Sequence, residues 1–216
     1  MPNQLPASIQ LTTAATAGIE PEAPVIMGHG LQVRPWDGDL LLQMSAWGER
    51  GFPFSAFDMG FLKEPARMAE FTGWLGRDDR HLHLAAIEAD RVVGRVSVNF
   101  RDPAGIYIWG VHVPPEYEGR GVCTRMLQAL LGWLDTRDCG ELVLSVNSFA
   151  HGARRIYERL GFAPVETRWQ FDPALDADLR RLPPGQHGPV EGHVRFSLGR
   201  WEVRTFLMRR PAPGRK

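Results

Sequence analysis

Thiols are scarce: Cys123 and Cys139 are the two cysteines of the 216-residue chain. They are too few for a disulfide framework, and neither lies in a C-x-x-C spacing that would hold a metal. The chain is therefore expected to work in a reducing, cytoplasmic setting and without a metal centre. Long apolar runs are missing too; a membrane span takes about 18 or more consecutive apolar residues, so no membrane partner is expected. An excess of either charge is absent, with Lys plus Arg at 25 and Asp plus Glu at 25. That balance gives no global field toward nucleic acid or a lipid surface. The opening stretch MPNQLPASIQLTTAATAGIEPEAP has neither the positive start nor the compact apolar run of a secretory signal.

What the chain does have is core material. Hydrophobic residues make up 44%, enough at this length for one well-buried core. The expected organisation is an arm over residues 1–27, one domain over 28–210 with an insert at 172–199, and a basic tail at 211–216. A second subunit that orders the arm, in a homodimer, is compatible with this layout. Basic residues, nearly all arginine, crowd the end: Arg200, Arg204, Arg209, Arg210, Arg215 and Lys216 stand against Glu202 alone. A solvated strand face and tail accounts for them, and a patch for an anionic partner is the other reading.

Along the chain, HGLQVRPW has a short strand pattern and Asp37 is placed to cap the helix that follows. An aromatic segment comes next, and then Met68, Phe71, Trp74 and Leu75 recur at helical spacing. HLHLAAIEADRVVGRVSVNF reads as two strands around a turn at 88–90, and GIYIWGVHV as a third. From about Gly121 a helix carries Val122, Met126, Leu127, Leu130, Leu131 and Leu134 on one side, and the strand ELVLSVN follows. A strand, helix, strand order of this kind implies a parallel pair. GARRIYERLGF is a short helix that stops at Gly161. PVETRWQF and RWEVRTFLMRR are the last expected strands, and the Pro- and Gly-rich insert between them is too long for a hairpin loop, which suggests a lid or interface.

The stretch VPPEYEGRGVCTRMLQALLGWL puts Gly-Arg-Gly where a strand ends and a helix begins. The first N–H groups of a helix lack partners and carry partial positive charge, so Gly119 and Gly121 suit a phosphate-bearing ligand. A Gly-x-Gly alone describes a tight strand-to-helix turn equally well.

Taken together, the strand, V-x-V-P-P-E-Y, glycine loop, amphipathic helix, parallel strand and Y-E-R-L-G-F resemble the GNAT superfamily of acyl-CoA-dependent N-acetyltransferases. The match is strongest over residues 107–162. The resemblance implies an α/β (α+β) domain with a central mixed, mostly antiparallel sheet, one splayed parallel strand pair and flanking helices. It implies acetyl-CoA as acyl donor, with its diphosphate on the backbone of Glu118, Gly119, Arg120, Gly121, Val122 and Cys123. Its pantetheine would run between the strands at 107–113 and 141–147, against Val111, His112 and Val113, with Asn147 on the far strand. The family pattern at the loop is Arg or Gln, two residues, Gly, one residue, then Gly or Ala. Here those positions hold Glu118, Gly121 and Cys123. A carboxylate at 118 repels a diphosphate, and Arg120 is the nearby charge expected to compensate.

Tyr157 stands where the family places the acid that protonates the departing thiolate. The general-base Glu of many relatives falls on Trp109, and the Asn common seven positions before the acid is Ala150. His112, His81, His83 and Asp58 remain as base candidates, alongside a water chain or an amine that arrives partly neutral. Residues 47–74 and the insert are expected to flank the acceptor. The function implied is transfer of acetyl from acetyl-CoA to a primary amine of a small molecule by direct attack. Two other readings stay open: a different acyl donor, such as a longer acyl-CoA or an aminoacyl-tRNA, and a non-catalytic module that binds CoA or a metabolite. The tRNA case is the one route by which nucleic acid would enter.

Overall fold

A computed structural model describes residues 24–212 except 76, 79, 101, 103, 104, 138 and 184. The arm over 1–23 and the end of the tail, 213–216, lie outside the described residues. Nine strands form one sheet: β1 (Ile26–Gly28), β2 (Leu31–Pro35), β3 (His81–Glu88), β4 (Arg91–Asn99), β5 (Ile106–His112), β6 (Leu142–Asn147), β7 (Ala163–Phe171), β8 (Val194–Ser197) and β9 (Arg200–Arg210). Their order is β1-β2-β3-β4-β5-β6-β9-β7, with β8 also on β9. Among the described strands only β5 and β6 pair in parallel, which gives the mixed sheet expected from the sequence. β1 begins at Ile26 and pairs antiparallel with β2.

Five α-helices complete the described fold: α1 (Gly38–Ser45), α2 (Pro65–Leu75), α3 (Val122–Asp135), α4 (His151–Arg159) and α5 (Pro173–Leu179). Asp37 caps α1 as its position suggests, accepting from the Leu40 N–H at 2.8 Å. The period-two alternation of β3 separates two layers: Leu82, Leu84 and Ala86 join the core beneath α3, whereas Ala85 and Ile87 pack with α1 and α2. Every apolar residue assigned to the buried side of α3 is at most 4% exposed. No described helix is long and apolar enough to cross a membrane.

The insert is more ordered than a Pro- and Gly-rich loop suggests. Asp172 caps α5 through the Ala174 and Leu175 N–H groups at 3.0 and 3.1 Å, with Pro173 in the first turn. β8 then forms a hairpin with β9. Leu175, Leu179 and Val190 of the insert bury themselves with Phe149 and Val203 in a third core cluster, against which Phe52 and Phe54 pack.

Candidate active site

The parallel pair opens a cleft. β5 and β6 stay in register through Ile106↔Leu142, Tyr107↔Val143 and Ile108↔Leu144, and no further. Beyond that point β6 pairs with β9 while β5 stays on β4. On β5, Gly110 and Val111 oppose a single residue of β4, because Ser97 pairs with Trp109 and Arg95 with His112. Gly110 meets this bulge with φ +61°, and a Cβ there would lie 3.5 Å from Ser97 Oγ and 3.6 Å from Arg95 Nη1. The resulting cleft has a volume of about 1380 Å³ and runs from the glycine loop to α4. Val111, His112, Val113, Glu118, Gly119, Gly121, Val122, Cys123, Asn147 and Tyr157 all line it; Arg120 does not.

Gly119 and Gly121 have φ +73° and +71°, and Gly121 is the residue before the first turn of α3, with no side-chain cap. Nothing lies within 4 Å of a Cβ built on either glycine, so the left-handed backbone rather than crowding favours glycine. The loop thus shows the cleft an open backbone face at a helix N-terminus.

The charge at Glu118 is met from an unexpected direction. Its carboxylate is ion-paired with Arg50, which lies in the aromatic segment after α1. The turn that presents Arg50 is fixed by Asp58, whose carboxylate accepts from the Arg50 and Gly51 N–H groups at 2.7 and 3.2 Å. Arg120 instead rests over the Tyr117 ring, 5.3 Å from its centroid. Arg50, and not Arg120, is therefore the compensating charge. If its role is to neutralise Glu118, Arg50→Ala is expected to lower CoA affinity about tenfold, and Glu118→Gln in the same chain to restore it. Titration calorimetry on the single and double variants checks this.

Tyr157 is 6% exposed, and burial, followed by the proximity of Cys123 and Tyr107, pushes its phenol well above the usual value. Burial also lifts the Cys123 thiol to about 11, which keeps a second negative charge out of the glycine loop.

The base candidates separate clearly. Asp58 is occupied by backbone N–H groups. His112 lines the cleft, stacked on Phe57 with centroids 5.6 Å apart, but burial, then Arg95 and Arg50, hold it neutral down to about pH 3. An imidazole that weakly basic is a poor proton acceptor at neutral pH. His81 and His83 do not line the cleft but stand edge-on to Trp109, which does.

The neutral His112 predicts an acid limb in stability. Its folded value of about 3 lies below the ordinary 6.5, so the unfolded chain takes up the proton first as pH falls. The contribution, on the order of 5 kcal/mol, is complete above pH 6.5 and lost between there and about pH 3. His112→Phe, which keeps the stacked ring, is expected to flatten that part of a Tm-against-pH curve.

Sequence reasoning missed Arg50, Arg155, Arg159 and Phe149, all of which line the cleft. For Arg155 and Arg159 a signal was present: they lie one helical turn apart in R-R-I-Y-E-R, flanking Tyr157. Phe149 follows directly on the Asn147 end of β6, whereas Arg50 reaches the cleft through long-range packing.

Comparison with known proteins follows the same lines. Residues 45–162 match the model of the Acetyltransferase (GNAT) family. N-alpha-acetyltransferase 30 of Schizosaccharomyces pombe is 30% identical over 92 residues, covering 41% of this chain and 61% of that protein. Mycothiol acetyltransferase of Propionibacterium freudenreichii subsp. shermanii is 30% identical over 158 residues, covering 69% of this chain and 48% of that protein. The chain thus spans about half to three fifths of the length of these curated relatives. The crystal structure of a GCN5-related N-acetyltransferase from Brucella melitensis superposes with a TM-score of 0.58 at 21% identity, covering 89% of this chain and 80% of that one, a likeness of fold. With the cleft between β5 and β6 and the family match lying on the same residues, the chain belongs to the GNAT family of acetyltransferases.

Proposed function

We propose that this protein is an N-acetyltransferase that moves the acetyl group of acetyl-CoA directly to a primary amine of a small molecule. The observation that carries this reading is the meeting in one cleft of the left-handed glycine loop, the diverging β5 and β6, and the Tyr157 side chain. The residues fit CoA. The open backbone of Gly119 and Gly121 suits the diphosphate, Arg155 and Arg159 add positive charge, and Val111, Val113 and Asn147 border the channel for pantetheine. Bound there, acetyl-CoA supplies an activated acetyl thioester.

The protein's own groups then divide the work. The bulge at Gly110 frees backbone N–H groups from the β4 ladder, and these polarise the acyl carbonyl. Tyr157 holds a proton for the leaving sulfur. Its raised pKa disfavours giving up that proton, but a thiolate in the same low-dielectric cleft is destabilised for the same reason, so the two remain matched. The absence of a Glu at Trp109 is offset electrostatically. The burial and the Arg95 charge that depress His112 also depress the pKa of an amine bound beside it, so more of the acceptor is the neutral nucleophile.

A walled acceptor end favours a small molecule. Phe54, Phe57, Trp109 and Phe149 line it, and the insert backs Phe54 and Phe149 through the third core cluster. The Ser55 hydroxyl donates to Asp178 of α5, tying the insert to the aromatic segment. The insert is thus an acceptor-side element. An amine panel assayed with acetyl-CoA tests the whole reading, with longer acyl-CoAs and aminoacyl-tRNA in parallel. Turnover of small amines with acetyl-CoA is expected. CoA binding without turnover of any amine would make the protein a binding module, and turnover with another donor alone would reassign the donor.

A further inference from the structure

Asp78, His81 and His83 lie outside the cleft, and their potential ligand atoms all fall within 4.8 Å of one another. The chain creates this cluster simply: His81 and His83 alternate along β3 and so share a face, while Asp78 precedes the strand by one turn. Asp78 Oδ2 is 2.7 Å from His81 Nδ1 and 3.2 Å from His83 Nε2. The other oxygen is held in place by the Arg80 and His81 N–H groups, at 3.1 and 3.2 Å. His83 is held from its far side as well, with Nδ1 2.8 Å from the hydroxyl of the fully buried Ser97.

The surroundings exclude water. The Asp78 and His83 side chains are each 7% exposed and that of His81 is 10%. Trp36, Trp74 and Trp109 set their rings 4.9, 5.2 and 5.8 Å from that of His83.

We propose that Asp78, His81 and His83 form a binding site for a divalent transition-metal ion of the zinc class, distinct from the acetyl-transfer cleft. Two imidazoles and one carboxylate are a nitrogen and oxygen donor set suited to such ions, with too few oxygens for calcium or magnesium. Tetrahedral zinc with bonds of about 2.0–2.1 Å places its ligand atoms roughly 3.3 Å apart. The His83 pair is already near that spacing, and the His81 pair needs a small opening. Ser97 supplies the outer hydrogen bond that fixes a metal-binding imidazole. Arg95, whose charge reaches His83, opposes any cation here, so affinity must come from directional ligand bonds rather than from the field. That again favours a transition ion. A bound ion ties the segment between α2 and β3 to the sheet behind Trp109.

The test uses the full chain, stripped with a chelator and titrated with cobalt(II) or zinc(II). One ion per chain is expected, with ligand-field bands for cobalt and quenching of tryptophan emission that zinc reverses. His81→Phe and Asp78→Asn should each weaken binding at least tenfold, and Ser97→Ala by about 10–100-fold. His81→Phe changes the most exposed of the three ligands, and unaltered circular dichroism and CoA binding establish that it folds. Absence of saturable binding at micromolar ion, or undiminished binding by folded His81→Phe, overturns the site.

Discussion

Replacing Tyr157 by phenylalanine is expected to lower kcat by ~10²–10⁴, the usual scale for removal of a positioned proton donor, with little change in CoA affinity. The split follows from where the residue stands. Its ring packs against Phe162 at 6.3 Å between centroids, an interaction that phenylalanine preserves, so the change removes the hydroxyl and leaves the wall of the cleft intact. A donor whose thiol is more acidic needs less help to depart, and the loss should shrink with such a donor. Single-turnover rates with the two donors measure this directly. Equal activity of the variant with ordinary acetyl-CoA would return Tyr157 to a packing role.

Gly121→Glu should have an effect of comparable size on binding rather than on chemistry. A side chain at φ +71° is strained, and a carboxylate at the start of α3 repels the diphosphate that the loop is proposed to hold. Together these are expected to cost about 100-fold in CoA affinity. Gly121→Ala separates the causes: with open space around its Cβ, it carries the backbone strain without the charge and should lose less. Calorimetry on both folded variants checks the order. Undiminished CoA affinity in Gly121→Glu would remove the loop from the binding site.

The legible part of the fold was the part governed by local pattern. The 3.6-residue repeat located the buried side of α3, from Val122 to Leu134, and Asp37 marked the start of α1. The hairpin of β3 and β4 also followed from alternation and its turn. The insert was less legible because its Pro and Gly residues drew attention from two local signals it does contain. Asp172-Pro173 is a helix start, and Leu198-Gly199 makes the turn between β8 and β9. In the candidate site, the glycine loop and Tyr157 stood out by residue type and order. The partner of Glu118 did not, because Arg50 reaches it only after the aromatic segment folds back across the sheet. Nor did the neutral state of His112, which depends on burial beneath Trp47 and Phe57 and on two distant guanidiniums.

The place of β9 has a consequence for how the protein is made. β9 lies between β6 and β7 and also pairs with β8, yet all three precede it in the chain. While the nascent polypeptide is still on the ribosome, β1 to β5 can zip together in order as they emerge, each beside its predecessor. β6 can join β5 over three residues, but its other edge and the whole of β7 must wait for a strand not yet translated, and these open edges are exposed to wrong pairing in the interval. Arg209 and Arg210 lock the late strand, reaching Glu141 at 2.8 Å and Asp135 through two bonds of 2.7 Å. The half of the sheet formed by β6, β9, β7 and β8, with α4 and its Tyr157 between β6 and β7 in the chain, is thus the last to become native, and it is the half that a chaperone or a paused ribosome would have to shelter.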